Sequence, residues 1–408
     1  YLVMIFRYHY LKIYILIFFV FSCSDPNKPK DIWNPDDSGY PTPFISNVYP
    51  TDSAYSGSDR IQISGGNFKN NKDSIFVYFN TGLAEIISVS DSNILVIPPN
   101  IISDSVRIKV AVQGAFSFGY YSKNYILFPR IIKYGSFDAI DESVWGMASD
   151  ISENLYVGLS IFPEGKIDKL TAPFGTREEG FINAVLQTPY SMRTGPDNSI
   201  YYIDGVNPYI VKQNLSTGVP SYNTLPGIVF DLDFDQHGNM FCGGSGQSLY
   251  KVNSDLSSEI AADYSGISIK AVRVFDDHVY VGGNYSGSEN NVPTIGIWKN
   301  QILDSEGTLS QKEVVLNWVE ISGINSNITG ITFDINGTMY ISSDADIGLA
   351  TYSPEGDFSE LYPKIVFPPI AKMIWGNDDY LYLNYRGEPR AVYRIQMDVL
   401  GAIYHGRQ

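Results

Sequence analysis

Between residues 43 and 128 short apolar runs alternate with turn residues. Phe44-Ile45-Ser46-Asn47-Val48-Tyr49-Pro50 opens, and Ile61-Gln62-Ile63-Ser64 alternates before breaking at Gly65-Gly66-Asn67-Phe68. Ile75-Phe76-Val77-Tyr78-Phe79 is nearly continuous, Ile94-Leu95-Val96-Ile97 ends at Pro98-Pro99, and Val106-Arg107-Ile108-Lys109-Val110 alternates again. A period of two puts every other side chain on one face of a sheet, so these runs predict a small β-sandwich.

From residue 129 to 408 a longer unit recurs: an apolar run, an Asp, a Gly/Asn turn, then an apolar–aromatic run. It reads WGMASDISENLYVG from Trp145, MRTGPDNSIYYID from Met192, DLDFDQHGNMFCGG from Asp231, VRVFDDHVYVGG from Val272, ITFDINGTMYISS from Ile331 and MIWGNDDYLYLNY from Met373. The aromatic anchors Tyr156, Tyr201, Phe241, Tyr280, Tyr340 and Tyr382 lie 39 to 60 residues apart. Asp with Gly or Asn supplies a tight turn, including the left-handed positions those residues accept cheaply. A four-stranded sheet of this size cannot bury both faces alone; packing it against its neighbours around an axis solves that. The pattern predicts an all-β chain: an immunoglobulin-like β-sandwich followed by a six-bladed β-propeller. The run Arg130-Ile131-Ile132-Lys133-Tyr134 stands ready to complete the last blade, and the long fourth interval implies a loop insertion between Tyr285 and Trp318.

The first 42 residues read differently. Arg7 and Lys12 precede an apolar run from Ile13 to Phe21, followed by Ser22-Cys23. A basic start and a run too short to span a bilayer predict a secretory signal over residues 1–22. Val20-Phe21-Ser22-Cys23 resembles a bacterial lipobox, which implies lipidation at Cys23 and attachment to a membrane through the acyl anchor. Residues 23–42, with Pro26, Pro29, Pro35 and Pro41 among polar residues, form a tether.

Composition narrows the function. With 44% hydrophobic and 18% charged residues the chain is neither disordered nor a coiled coil. A net charge of −16 argues against nucleic acid. Only Cys23 and Cys242 are present, so lipidation leaves Cys242 alone, read here as a small buried hydrophobe.

Two resemblances follow. ISNVYPTDSAYSGSDRIQISGGNF, VYFN, SDSNILVIPP and RIKVAVQG resemble an IPT/TIG domain, an immunoglobulin-like fold whose members mostly act as spacers or adhesion modules. Asp52-Ser53-Ala54 stands where that family has a Gly after its first proline. The repeats, with GTREEGFINAVLQTPYSM before the second copy, resemble NHL and gluconolactonase-like propellers. That resemblance implies a fold more than an activity.

Candidate chemistry is sparse. His9 lies in the signal; His237 and His278 occupy blade turns, and His405 lies near the end. A gluconolactonase-like hydrolase would hold an axial divalent ion with Glu, Asn and Asp, yet Asp141-Glu142 precedes the first inner strand rather than opening it. No catalytic set and no resident cofactor is assigned. The Asp-rich turns look like calcium loops but lack a terminal Glu and recur as blade turns. The sequence therefore predicts an outer-membrane or cell-surface lipoprotein, monomeric or part of an outer-membrane complex, that captures a glycan or a partner protein. The alternative is a propeller hydrolase or lyase with an axial metal. The loops after each second strand place Tyr209, Asn284, Tyr285, Asn384, Tyr385 and Arg386 on the ligand face, where aromatic rings would stack on sugars and amides bond hydroxyls.

Overall fold

The computed structural model describes residues 38–138, 141–289 and 291–406. The predicted signal segment, residues 1–22, and Cys23 lie outside the described residues.

The first domain packs a sheet ordered Phe44–Tyr49, Ile61–Gly66, Asn93–Ile97, Glu85–Val89 against one ordered Gly119–Tyr120, Ile108–Val112, Ile75–Phe79, Gly82–Leu83. Alternation decides which side chains meet: Ile61 and Ile63 are buried with Ile94, Val96, Val77 and Val110, while Gln62 faces solvent. At Gly66-Asn67-Phe68 the chain turns through a left-handed Asn67 (φ 58°), which drops Phe68 into the core. Ser53–Tyr55, in place of the glycine turn, is a short strand paired in parallel with Tyr125–Phe128.

The second domain is six four-stranded antiparallel sheets. Their innermost strands are Ser143–Ser149, Ser191–Thr194, Val229–Phe234, Ile267–Phe275, Ile328–Phe333 and Ile370–Trp375. Each packs on the next, and the sixth packs on the first, so the ring closes. Closure is latched by strand pairing: Ile131–Lys133 forms the outer strand of blade 6, with Ile131 opposite Ile395 and Lys133 opposite Tyr393.

The recurring Asp explains the repeat. Oδ1 of Asp150 accepts from the N–H groups of Ser152 and Asn154 at 2.9 Å. Asp235 does the same with His237 and Asn239, and Asp334 with Asn336 and Thr338. The second oxygen of Asp150 accepts from Tyr156 Oη at 3.0 Å and that of Asp334 from Tyr340 Oη at 3.2 Å. These carboxylates tie each turn to its second strand. The extra length of blade 4 is spread over long strands (Ile267–Phe275 and His278–Tyr285), loop residues 286–289, 291–294 and 302–312 and a five-residue helix, Trp318–Ser322.

Arg130 joins the domains. Its buried guanidinium pairs with Asp59, donates to Ser58 Oγ at 2.9 Å and Asp398 Oδ1 at 2.9 Å, and lies 4.1 Å over the Tyr55 ring.

Candidate functional site: the axial mouth of the propeller

One end of the propeller axis is capped by the chain's last described segment. Ala402 N donates to Phe333 O at 2.9 Å, and Tyr404 is buried with its hydroxyl 3.0 Å from Thr332 Oγ1. The Arg273 guanidinium stacks 3.7 Å from the Tyr404 ring and donates to Ile403 O at 3.1 Å.

The middle of the axis holds a buried charge network. Asp231 and Asp233 alternate on the inner strand of blade 3, so both face the axis while Leu232 and Phe234 pack into the blade core. Asp231 receives Ser191 Oγ at 2.6 Å, Val272 N at 3.0 Å and Lys372 Nζ at 3.3 Å, with Arg193 at 3.7 Å. Asp233 receives Arg273 at 2.7 Å and Val274 N at 2.9 Å, with Arg193 at 3.5 Å. Burial works to raise the Asp231 pKa, but Lys372, Arg193 and the two hydrogen bonds outweigh it and hold it below the usual carboxylate range. Burial lowers the Lys372 pKa, and Asp231 opposes that. Three cations thus serve two carboxylates.

The other end is open. A cavity of about 250 Å³ is lined by Tyr190, Lys270, Asn327, Thr329, Asp344 and Arg386 among others. An aromatic arc runs beside it: Trp145 and Tyr190 have centroids 5.6 Å apart, Tyr190 and Phe230 6.2 Å. Cations sit over the arc, with Arg386 4.2 Å from Trp145 and 5.0 Å from Tyr190, and Lys270 4.6 Å from Phe230. Trp145 Nε1, Arg386 Nε and Nη2, and Arg390 Nη1 are buried donors without a hydrogen-bond partner among the described residues.

Local backbone irregularity shapes this lining and the arc beside it. In five of six blades the pairing of the first two strands slips near the start of the inner strand: between Val144 and Met147, Val229 and Asp231, Ile269 and Ala271, Ile328 and Gly330, and Ile370 and Lys372. Trp145, Phe230, Lys270 and Thr329 are residues skipped by these bulges, which re-aim a side chain that regular alternation would send elsewhere.

The sequence-predicted residues divide. Arg386 lines the mouth. Asn384 is buried beneath it and donates to Trp145 O at 2.5 Å. Asn284 donates to Asn327 Oδ1, and Asn327 in turn bonds Asp344 at 2.5 and 2.8 Å. The three tyrosines are not brought together. Tyr285 packs on its own blade's core and accepts from Glu289 N at 3.0 Å. Tyr385 meets Tyr393 at 5.7 Å beside a separate, mostly apolar cavity of about 290 Å³. Tyr209 opens the third strand of blade 2, opposite Thr224 and partly exposed. Trp145, Tyr190, Phe230, Lys270 and Arg390 escaped sequence reasoning. His237 and His278 lie at the turns that join first and second strands, and His405 lies in the capping segment.

The IPT/TIG domain family matches residues 43–127. Residues 43–127 are an IPT/TIG domain. No curated protein matches the chain. Among solved structures, a candidate phosphatase from Bacteroides thetaiotaomicron is 10% identical, with a TM-score of 0.52, over 88% of this chain and 97% of that one. An auxiliary nutrient binding protein from Bacteroides ovatus is 14% identical over 89% and 99% of the two chains, with a TM-score of 0.47. A gluconolactonase from Xanthomonas campestris is 13% identical over 65% and 89%, with a TM-score of 0.48. At such identity the first likeness speaks for fold alone.

Proposed function

We propose that this chain is a carbohydrate-binding module that holds a sugar ring in the axial mouth of its propeller. The observation that carries the reading is the Trp145–Tyr190–Phe230 arc beside a small cavity, with buried donors on Trp145 and Arg386 that no described residue satisfies. Aromatic faces pack on the C–H faces of sugars, and unsatisfied donors are what a hydroxyl-rich ligand would complete. The axis itself is occupied by Lys372, Arg193 and Arg273 bonded to Asp231 and Asp233, so those carboxylates already serve cations of the chain. That arrangement favours a binder over an axial-metal hydrolase or lyase.

The TIG domain, locked to the propeller through Arg130, acts in this reading as a rigid spacer. The tether and a lipid on Cys23 hold the pair at the outer membrane or cell surface, alone or within a membrane complex. Saccharide-array screening followed by calorimetry tests the capture. The variant Trp145→Ala/Tyr190→Ala should lose at least about tenfold in affinity while staying folded. Absence of any saccharide binding, or full binding by that folded variant, would overturn the reading. Loss of labelled fatty acid in Cys23→Ala tests the anchor.

A further inference from the structure

We propose that the sugar held in the mouth is acidic, and that a carboxylate or sulfate on its ring docks between Arg386, Arg390 and Lys270. This rests on the carbohydrate reading above and specifies its ligand class.

The charge distribution around the axis motivates it. Every ion pair of the axis lies deep, at Asp231 and Asp233. Nearer the opening, Asp344 is engaged by the amide and backbone N–H of Asn327. Arg386, Arg390 and Lys270 have no carboxylate partner among the described residues. Arg386 and Arg390 both approach the Trp145 ring, at 4.2 and 6.0 Å, so two guanidinium groups gather at one indole. Arg386 keeps two nitrogens and Arg390 one without a hydrogen-bond partner.

That is an unfavourable arrangement for an empty site. Burial, and then the like charge of Arg390, push the Arg386 pKa below its ordinary value, and only Tyr190 opposes. Guanidinium forks pair bidentately with planar or tetrahedral oxyanions, so a carboxylate or sulfate would satisfy the orphan donors and separate the like charges. A neutral sugar would satisfy the donors but leave the two positive charges facing each other. The whole chain carries −16, so this local excess of cations is not a reflection of bulk composition.

The test uses the lipid-free mature chain and calorimetry. The probes are a hexuronate tetrasaccharide, the same tetrasaccharide with its carboxyls reduced to alcohols, the sulfated form of the reduced compound, and an acidic peptide. The uronate or the sulfated form should bind at least about tenfold more tightly than the reduced form, and Arg386→Gln should abolish that difference. Lys270→Met provides a second variant with the same expected direction. Equal binding of charged and reduced forms by the unaltered chain would overturn the inference while leaving carbohydrate capture standing. Binding of the acidic peptide as tightly as the uronate would also overturn it. Failure of every saccharide on these probes and on the array would overturn both readings together.

Discussion

The axial charge network makes a quantitative demand on stability. Asp233 is 1% exposed and Arg273 wholly buried, and they meet at 2.7 Å. Asp233→Asn keeps the shape and one acceptor for Val274 N–H but removes the counter-charge. Arg273 is then a buried cation with only carbonyl oxygens and the Tyr404 ring for company, and Arg193 keeps Asp231 alone. Leaving one partner of such a pair uncompensated costs about 3–5 kcal/mol. For a domain of this size that is a fall of roughly 6–10 °C in melting temperature. Thermal unfolding followed by circular dichroism measures it. The Arg273→Met change alone removes a cation and its stack on Tyr404, yet in the Asp233→Asn background it should cost little, because the orphan charge goes with it. A fall below about 2 °C for Asp233→Asn, or additivity of the two changes within roughly 0.5 kcal/mol, would refute the reasoning.

Three further outcomes are expected. Burial pushes the Cys242 thiol up to about 12, so alkylation mapped by mass spectrometry should leave Cys242 unmodified in the native protein and modify it in denaturant. Burial works to raise the Glu142 pKa, but Arg177, the Asp138 N–H and Lys166 bring it to about 2; a folded-state pKa this far below the ordinary value contributes stability that is complete above roughly pH 4.5 and drains as pH falls towards 2, and Glu142→Gln should flatten that stretch of a melting-temperature profile. Arg130→Met should leave both domains folded but loosen their junction, read as faster proteolysis between residues 127 and 131 and a broader interdomain distance distribution in small-angle scattering.

The fold was legible where chemistry is periodic. Alternating runs such as Ile61–Ser64 and Asp–Gly/Asn turns such as Asp334–Gly337 carry local geometry in adjacent residues, and the anchor spacing counts the blades. The outer strands were harder. Thr176–Ala184 reads TREEGFINA and Pro220–Thr224 is exposed throughout, because an outermost strand has solvent along one edge and little to bury. The stretch before the second repeat is therefore in part the outer strand of blade 1 and not merely a connection. The two-residue strands Gly82–Leu83 and Gly119–Tyr120 are too short to show a period.

The site was legible only in half, and strand alternation explains which half. Asn384 and Tyr385 are neighbours on one strand, as are Asn284 and Tyr285, so the two members of each pair must face opposite ways. The amides turn towards Trp145 and Asn327, which sends the tyrosines away from the mouth. Placing both on one ligand platform conflicts with the period of two. The aromatic arc was hidden for the complementary reason: Trp145, Phe230 and Lys270 sit at bulges, where that period fails, and no turn residue announces a bulge. The mouth also gathers side chains from Trp145 to Arg390, few of them from any one blade, so no local window of sequence holds it. Fold and recognition are thereby carried by separate positions. The Asp turns and aromatic anchors hold the ring, and the bulges choose what the ring presents, so under the proposed function this architecture can change ligand without disturbing the residues that make it a propeller.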